Sequence, residues 1–140
     1  MLAEADRAEL IEQFAAARVG HGLGETPGAE AHRRSPACGD DVTVRVVLDG
    51  HRIADLRWEG HGCVVSIAAV SGLATTASGL DLDAFRALAD RYLLTLDADA
   101  MADAGLGELE AFAGIGRYPL RAGCASLAWR AALDALEGAP

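Results

Sequence analysis

A chain of 140 residues, 51% of them hydrophobic, sits in the single-domain range and has enough apolar material for a real core. Twelve basic residues against 21 acidic ones leave a net charge of −9, which excludes the clustered cationic surface that a phosphate backbone requires and so argues against nucleic acid as a partner. No stretch approaches the ~20 apolar residues of a membrane span, and MLAEADRAELIEQF lacks the basic start and apolar run of a signal peptide, so the expectation is a cytoplasmic protein with no membrane partner. Thiols are normally reduced there, and three widely spaced cysteines, an odd number, make a poor disulfide framework.

From the N-terminus, Glu4 to Arg18 reads as a short amphipathic helix with Leu10, Ile11 and Phe14 on one side. The glycine-rich GHGLGETPGAE that follows reads as a loop, and His32 to Ser35 as a short edge strand. From Asp41 the period changes to two, with Val42, Val44, Val46 and Leu48 alternating along a half-buried strand. Asp49-Gly50 offers a tight turn, and a second run through Ile53, Leu56 and Trp58 completes a hairpin.

The remainder reads as helical. Val64 to Ser78 places Ile67, Val70, Ser71 and Ala74 on one face, and Leu82 to Leu94 does the same with Phe85, Leu88, Ala89 and Tyr92. Asp81 or Asp83 would help to start the latter helix. A short piece is expected from Glu108 to Phe112, and a last helix from Ala125 to Leu136, carrying Trp129 inward and stopped by Gly138. The expected fold is α+β, one domain over residues 1–140 with a small antiparallel sheet and packed helices, Trp58 and Trp129 lying in its core.

Cys38 and Asp40 in SPACGDD, Cys63 in EGHGCVVS and Cys124 in RAGCASLAW are the residues with chemistry to offer. Each cysteine has a glycine beside it at a predicted junction, where the backbone is free to bend around an ion. In an extended segment Cys38 and Asp40 would point the same way. Cys63 and Cys124 fall at predicted helix starts, where free N–H groups favour thiolate. Three thiolates and a carboxylate suit tetrahedral zinc; Arg121, three residues before Cys124, is the candidate cation to offset their charge. Spacing alone leaves open that these are simply small buried cysteines. Asp41 is the alternative to Asp40, and His61 is a candidate ligand or proton shuttle, although solvent exposure suits it as well. His21, His32 and His51 read as surface residues. No His with Asp or Asn pattern accompanies a cysteine in the manner of a cysteine hydrolase.

Three stretches in order, SPACGDDVTVRVVLDG, WEGHGCVVSIAAVSGL and YPLRAGCASLAWRAAL, resemble the three cysteine segments of the SufU branch of the IscU/NifU N-terminal iron–sulfur cluster assembly family. The resemblance runs from Ser35 to Leu136 and implies Cys38, Asp40, Cys63 and Cys124 as metal ligands. It implies zinc, or alternatively a [2Fe–2S] cluster, as cofactor. Cys38 would accept persulfide sulfur from a SufS-like cysteine desulfurase, with downstream iron–sulfur assembly proteins as further partners. The helical stretch between Cys63 and Cys124, and Gly123 where IscU-type scaffolds carry histidine, resemble the SufU branch. Residues 1–34 diverge: the family's His-Tyr and Pro-Arg-Asn segment is missing, and Ser35 stands where asparagine is common. This divergence bears on partner docking more than on the ligands.

Overall fold

The computed structural model of the chain describes residues 2–36, 38–100 and 103–137. In order these are α1 (Glu4–Ala17), β1 (Ala29–Arg34), β2 (Asp41–Asp49), β3 (Arg52–His61), α2 (Val64–Ala77), α3 (Leu82–Thr95), two 3-10 segments (Ala104–Phe112 and Ile115–Arg117) and α4 (Pro119–Leu136). The strands form one antiparallel sheet in the order β1-β2-β3, so the architecture is the α+β arrangement the sequence implied. Among the described residues no helix is long and apolar enough to cross a membrane.

The hairpin follows its period. Val42, Val44 and Val46 are buried on one face, and Val44 pairs with Trp58 across the ladder. Ile53 and Leu56 are three apart yet both buried, because a bulge at Val47/Leu48 leaves Ala54 without a partner and resets the alternation. β1 is longer at its start than the four residues expected, and pairs with β2 from Ala29↔Val46 to Arg34↔Asp41. Its AEAHRR sequence is too polar to announce a strand; β2 supplies the pairing.

The helices cover one side of this sheet. α2 is the central one, and its expected single apolar face is corrected: Ser66, Ala68, Ala69, Val70, Ser71, Gly72, Leu73, Ala74 and Ala77 are buried nearly all round. Small side chains permit that closeness. A Cβ on Gly20 would lie 2.7 Å from the Ala74 Cβ, so the loop after α1 passes directly over α2. α3 starts where Asp81 Oδ1 accepts hydrogen bonds from the Asp83 and Ala84 amides at 2.8 and 3.3 Å, a cap worth about 0.5–2 kcal/mol. Its Tyr92 ring stacks on Trp129 at 4.1 Å, and its hydroxyl donates to the Ala125 carbonyl at 2.8 Å. Trp58 and Trp129 are both fully buried, each indole donating to a main-chain carbonyl, Val19 and Ala69 respectively.

Two helical boundaries depart from the sequence expectation. The piece expected at Glu108 to Phe112 begins at Ala104 as a 3-10 segment, with Gly107 breaking it at φ 58°. α4 begins at Pro119, six residues before the expected start at Ala125. Proline at the first helical position is favoured because its missing N–H would be unpaired there anyway, and Gly123 does not interrupt the helix. The expected stop at Gly138 lies outside the described residues.

Candidate metal centre

The β1–β2 connection carries Cys38 and Asp40. The Ser35 amide bonds the Asp40 carbonyl and the Gly39 amide bonds the Ser35 carbonyl, both at 2.8 Å, and Gly39 takes a left-handed φ of 74°. The segment is therefore a turn and not the extended approach the sequence suggested. The two side chains nonetheless converge: Cys38 Sγ lies 3.2 Å from Asp40 Oδ2 and 3.1 Å from the Ser35 hydroxyl.

Cys63 is the N-cap of α2, as expected. Its amide donates to Asp40 Oδ1 at 3.0 Å, and its sulfur stands 3.9 Å from Asp40 Oδ2. α2 has no acid in its own first turn, so the Asp40 carboxylate supplies the negative charge that a helix N-terminus favours. Cys124 corrects a second expectation. It sits well inside α4, and its sulfur faces Cys38 Sγ at 3.4 Å. A turn, a helix cap and a helix interior thus bring all four residues to one place, and the donor atoms of Cys38, Asp40 and Cys124 all lie within 4.8 Å of one another. Cys63 approaches this trio through Asp40.

Burial raises the carboxyl of Asp40, but hydrogen bonds from the Cys124 and Cys38 thiols, the Cys63 amide and the Ser66 hydroxyl outweigh it and hold the group below its usual range. Cys124 is pushed well up, first by burial and then by its neighbours Asp40, Cys38 and Cys63. Such a cluster of sulfur and carboxylate donors lowers its own repulsion by binding a cation. Zinc–sulfur bonds of about 2.3 Å and zinc–oxygen bonds of about 2.0 Å, set tetrahedrally, separate sulfur pairs by about 3.8 Å and sulfur–oxygen pairs by about 3.5 Å. The observed sulfur–oxygen pairs at 3.2 and 3.9 Å straddle their edge, and the sulfur pair at 3.4 Å lies a little inside its own, so the residues fit such an ion.

The other candidates lie elsewhere. Asp41 turns to His32, whose Nε2 is 2.8 Å from its carboxylate, which leaves Asp40 as the inward carboxylate. His61 ends β3, exposed, in register with Asp41. His21, His32 and His51 are exposed. Arg121 is exposed with its guanidinium over the Tyr118 ring at 5.1 Å, and among the described residues it bonds none of the four donors. Two residues of the EGHGCVVS segment take a part that the sequence did not assign to them. Ser66 is buried one turn into α2 and donates to the Cys63 carbonyl at 3.0 Å. Gly62 leaves the space that Asp40 fills: a Cβ there would fall 2.7 Å from Asp40 Oδ1 and 2.1 Å from Ser66 Oγ.

The sequence pattern of the NifU-like N terminal domain matches residues 7–125, most of the chain and all four converging residues. The chain belongs to this family. Within it, the chain is 33% identical over 119 residues to the iron–sulfur cluster assembly scaffold protein IscU of Streptococcus pyogenes serotype M1, covering 84% of this chain and 75% of that protein. It is 31% identical over 98 residues to the zinc-dependent sulfurtransferase SufU of Bacillus subtilis, covering 69% of this chain and 67% of that one. Among solved structures, the putative SUF-system scaffold FiSufU of Fervidobacterium islandicum superposes with a TM-score of 0.82 at 25% identity, covering 92% and 95% of the two chains. A NifU-like N-terminal protein from Brucella abortus shares the fold with a TM-score of 0.84 at 24% identity, over 96% and 95%. The antiparallel sheet with packed helices is thus the fold of the NifU-like family.

Proposed function

We propose that this family member serves iron–sulfur cluster assembly as a SufU-like sulfur acceptor, with zinc held by Cys38, Asp40, Cys63 and Cys124 and with Cys38 as the receiving thiol. The observation that carries this reading is the convergence of the Cys38 and Cys124 sulfurs on the buried Asp40 carboxylate, which Cys63 also reaches, with only one of the close sulfur pair, Cys38, exposed. Bound zinc would keep the thiols deprotonated at neutral pH.

The chain's own residues divide the remaining work. Asp40 is anchored by the Cys63 amide, so its position is set before any ion arrives. Cys124 is fixed by α4, whose start is pinned by proline. Cys38 rides on a turn at the surface, where an incoming donor reaches it. Its sulfur attacks the outer sulfur of the donor persulfide; the bond between the donor's two sulfurs breaks, and the donor cysteine leaves as thiolate. The donor by this reading is a cysteine desulfurase of the SufS kind, the acceptors are downstream iron–sulfur assembly proteins, and the compartment is the cytoplasm.

The test is to incubate the zinc-loaded chain with a cysteine desulfurase and cysteine, and to map added sulfur by mass spectrometry. An extra sulfur atom on the Cys38 peptide is expected, lost in Cys38→Ala; undiminished uptake by that variant would sink the reading. Purified without air, the chain should carry about one zinc and no acid-labile sulfide. A second reading, a scaffold building a [2Fe–2S] cluster on the same ligands, is favoured by the likeness to the IscU scaffold protein. Iron with matching sulfide in the same assay would select it.

A further inference from the structure

The hydrogen bonds of β3 fix which way the groups of β1 face. The Trp58 amide donates to the Gly20 carbonyl at 3.0 Å, and the Trp58 carbonyl accepts from the Gly22 amide at 2.7 Å, so both groups point away from β2. Val44, opposite Trp58, therefore turns its own main-chain groups toward β1 and exchanges them with Ala31. Alternation along the strand gives Ala29, Ala31 and Arg33 to β2, and directs the amides and carbonyls of Glu30, His32 and Arg34 to the open side. β2 and α4 pack against β1, and among the described residues no main-chain bond reaches that open side. The edge carries no proline and no bulge, devices that commonly keep another strand away.

We propose that this edge is an interface between two copies of the chain, with the β1 strands paired antiparallel about a two-fold axis at His32. The charges decide the occupant. Glu30 and Arg34 stand two residues either side of His32, so the pairing sets Glu30 of each copy directly opposite Arg34 of the other. All three outward residues then find an outward partner, and each facing pair exchanges two main-chain hydrogen bonds. Sliding the register by two residues loses the Glu–Arg opposition, and parallel pairing would align like charges. Arg34 is exposed and makes no ion pair among the described residues, so its guanidinium is available. Glu30 reaches Arg45 at 3.3 Å with one oxygen, and a carboxylate has room for a second guanidinium.

The other neighbours of the axis accommodate this arrangement. At the centre, each His32 ring lies 2.8 Å from the Asp41 carboxylate of its own chain, which offsets any charge the ring carries. On the face toward α4, the small Ala31 lies opposite Arg33 of the other copy, whose guanidinium stays on Asp134 at 2.6 and 3.2 Å. Pairing joins the two sheets into one and leaves the metal centres alone. The turn that carries Cys38 begins at Ser35, beyond the paired strand, and the two turns fall at opposite ends because the strands run in opposite directions. Both Cys38 thiols thus remain exposed, and the interface holds whether or not the chain accepts sulfur.

The experiment is sedimentation of the full chain over concentrations from about 10 μM to about 1 mM, a range that reveals a weak dimer. The mass should climb from 14.5 kDa toward twice that value. Glu30→Arg and Arg34→Glu each set like charges opposite one another twice, and each should weaken self-association by about tenfold. Mixing these two variants puts arginine opposite glutamate at both positions, so the mixture should regain the dimer that neither forms alone. A monomer throughout the range, variants that associate as wild type does, or a mixture that stays monomeric would each overturn the proposal. Should Glu30→Arg fail to fold beside Arg45, amide hydrogen exchange of the wild-type chain decides. The amides of Glu30, His32 and Arg34 should exchange more slowly as concentration rises, whereas a dimer in which those three stay unprotected refutes the pairing.

Discussion

Replacing Gly62 with alanine sets two physical effects against each other at the edge of the candidate metal centre. Gly62 does not occupy the left-handed region, so its backbone accepts alanine without strain, and the lost freedom of the unfolded chain would by itself stabilise by about 0.4–1 kcal/mol. Sterics oppose this. The new Cβ would fall 2.1 Å from Ser66 Oγ and 2.7 Å from Asp40 Oδ1, both well inside contact distance. The hydroxyl can swing away at the expense of its bond to the Cys63 carbonyl, roughly 1 kcal/mol. The carboxylate must also retreat, stretching its charge-assisted bond from the Cys63 amide, which is worth about 1.5–3 kcal/mol. Loss outweighs gain, and Gly62→Ala should destabilise the chain by about 1–3 kcal/mol net in urea unfolding. Zinc affinity, measured by competition with a chromophoric chelator, should fall with it because Asp40 is displaced. A variant as stable as wild type, with unchanged affinity, would refute the view that Asp40 is locked in place by its neighbours.

Gly123→Ala makes the opposite case: this glycine is inside α4 with nothing within 4 Å of its Cβ position, so a gain of about 0.5–1 kcal/mol is expected in the same unfolding assay. Tyr92→Phe removes the buried hydroxyl bond to the Ala125 carbonyl while keeping the stack on Trp129, and should cost about 0.5–1.5 kcal/mol with unchanged far-ultraviolet dichroism. Asp103 is held below the usual carboxylate range by its hydrogen bonds from Arg91, against a smaller opposing effect of burial. Its folded value is the lower one, so its contribution is present above the ordinary carboxylate range and is lost as pH falls through the depressed value. Carbon-detected NMR titration should place Asp103 below a free aspartate, returning toward it in Arg91→Ala and in high salt.

The parts of this fold that showed in the sequence are those where one face is wet. Val42, Val44 and Val46 alternate because β2 has a solvent side, and Phe85, Ala89 and Tyr92 recur because α3 does. α2 is enclosed, so the single face read from Ile67, Val70, Ser71 and Ala74 found the helix but understated its burial. β1 escaped full definition because AEAHRR gains its strand character from pairing with β2, a contact that no local pattern announces. The first turns of α4 were missed because Gly123 beside Cys124 was read as a junction before the helix, although the helix carries it. The chemistry-bearing residues were visible through their motifs, but their approach was not: Gly39 in the left-handed region makes a turn where the spacing of Cys38 and Asp40 suggested an extended segment. Arg121 pointed at the site by sequence proximity alone, and the Tyr118 ring takes its guanidinium instead.

The two margins of the sheet are held unequally. Along β3 the outer side is laced to neighbouring backbone at Trp58 by Gly20 and Gly22, and at Ile53 by Gly79 and Leu80. β1 has β2 on one side, and the bidentate Arg33–Asp134 pair ties it to α4. Local opening is easiest where the fewest bonds must break together, so the sheet loosens from the β1 side and the turn after it. That turn carries Cys38, whereas Cys63 caps α2 and Cys124 is buried within α4. The fold thus permits one of its three sulfurs to come and go while the other two stay in register, much as a latch moves on a fixed frame.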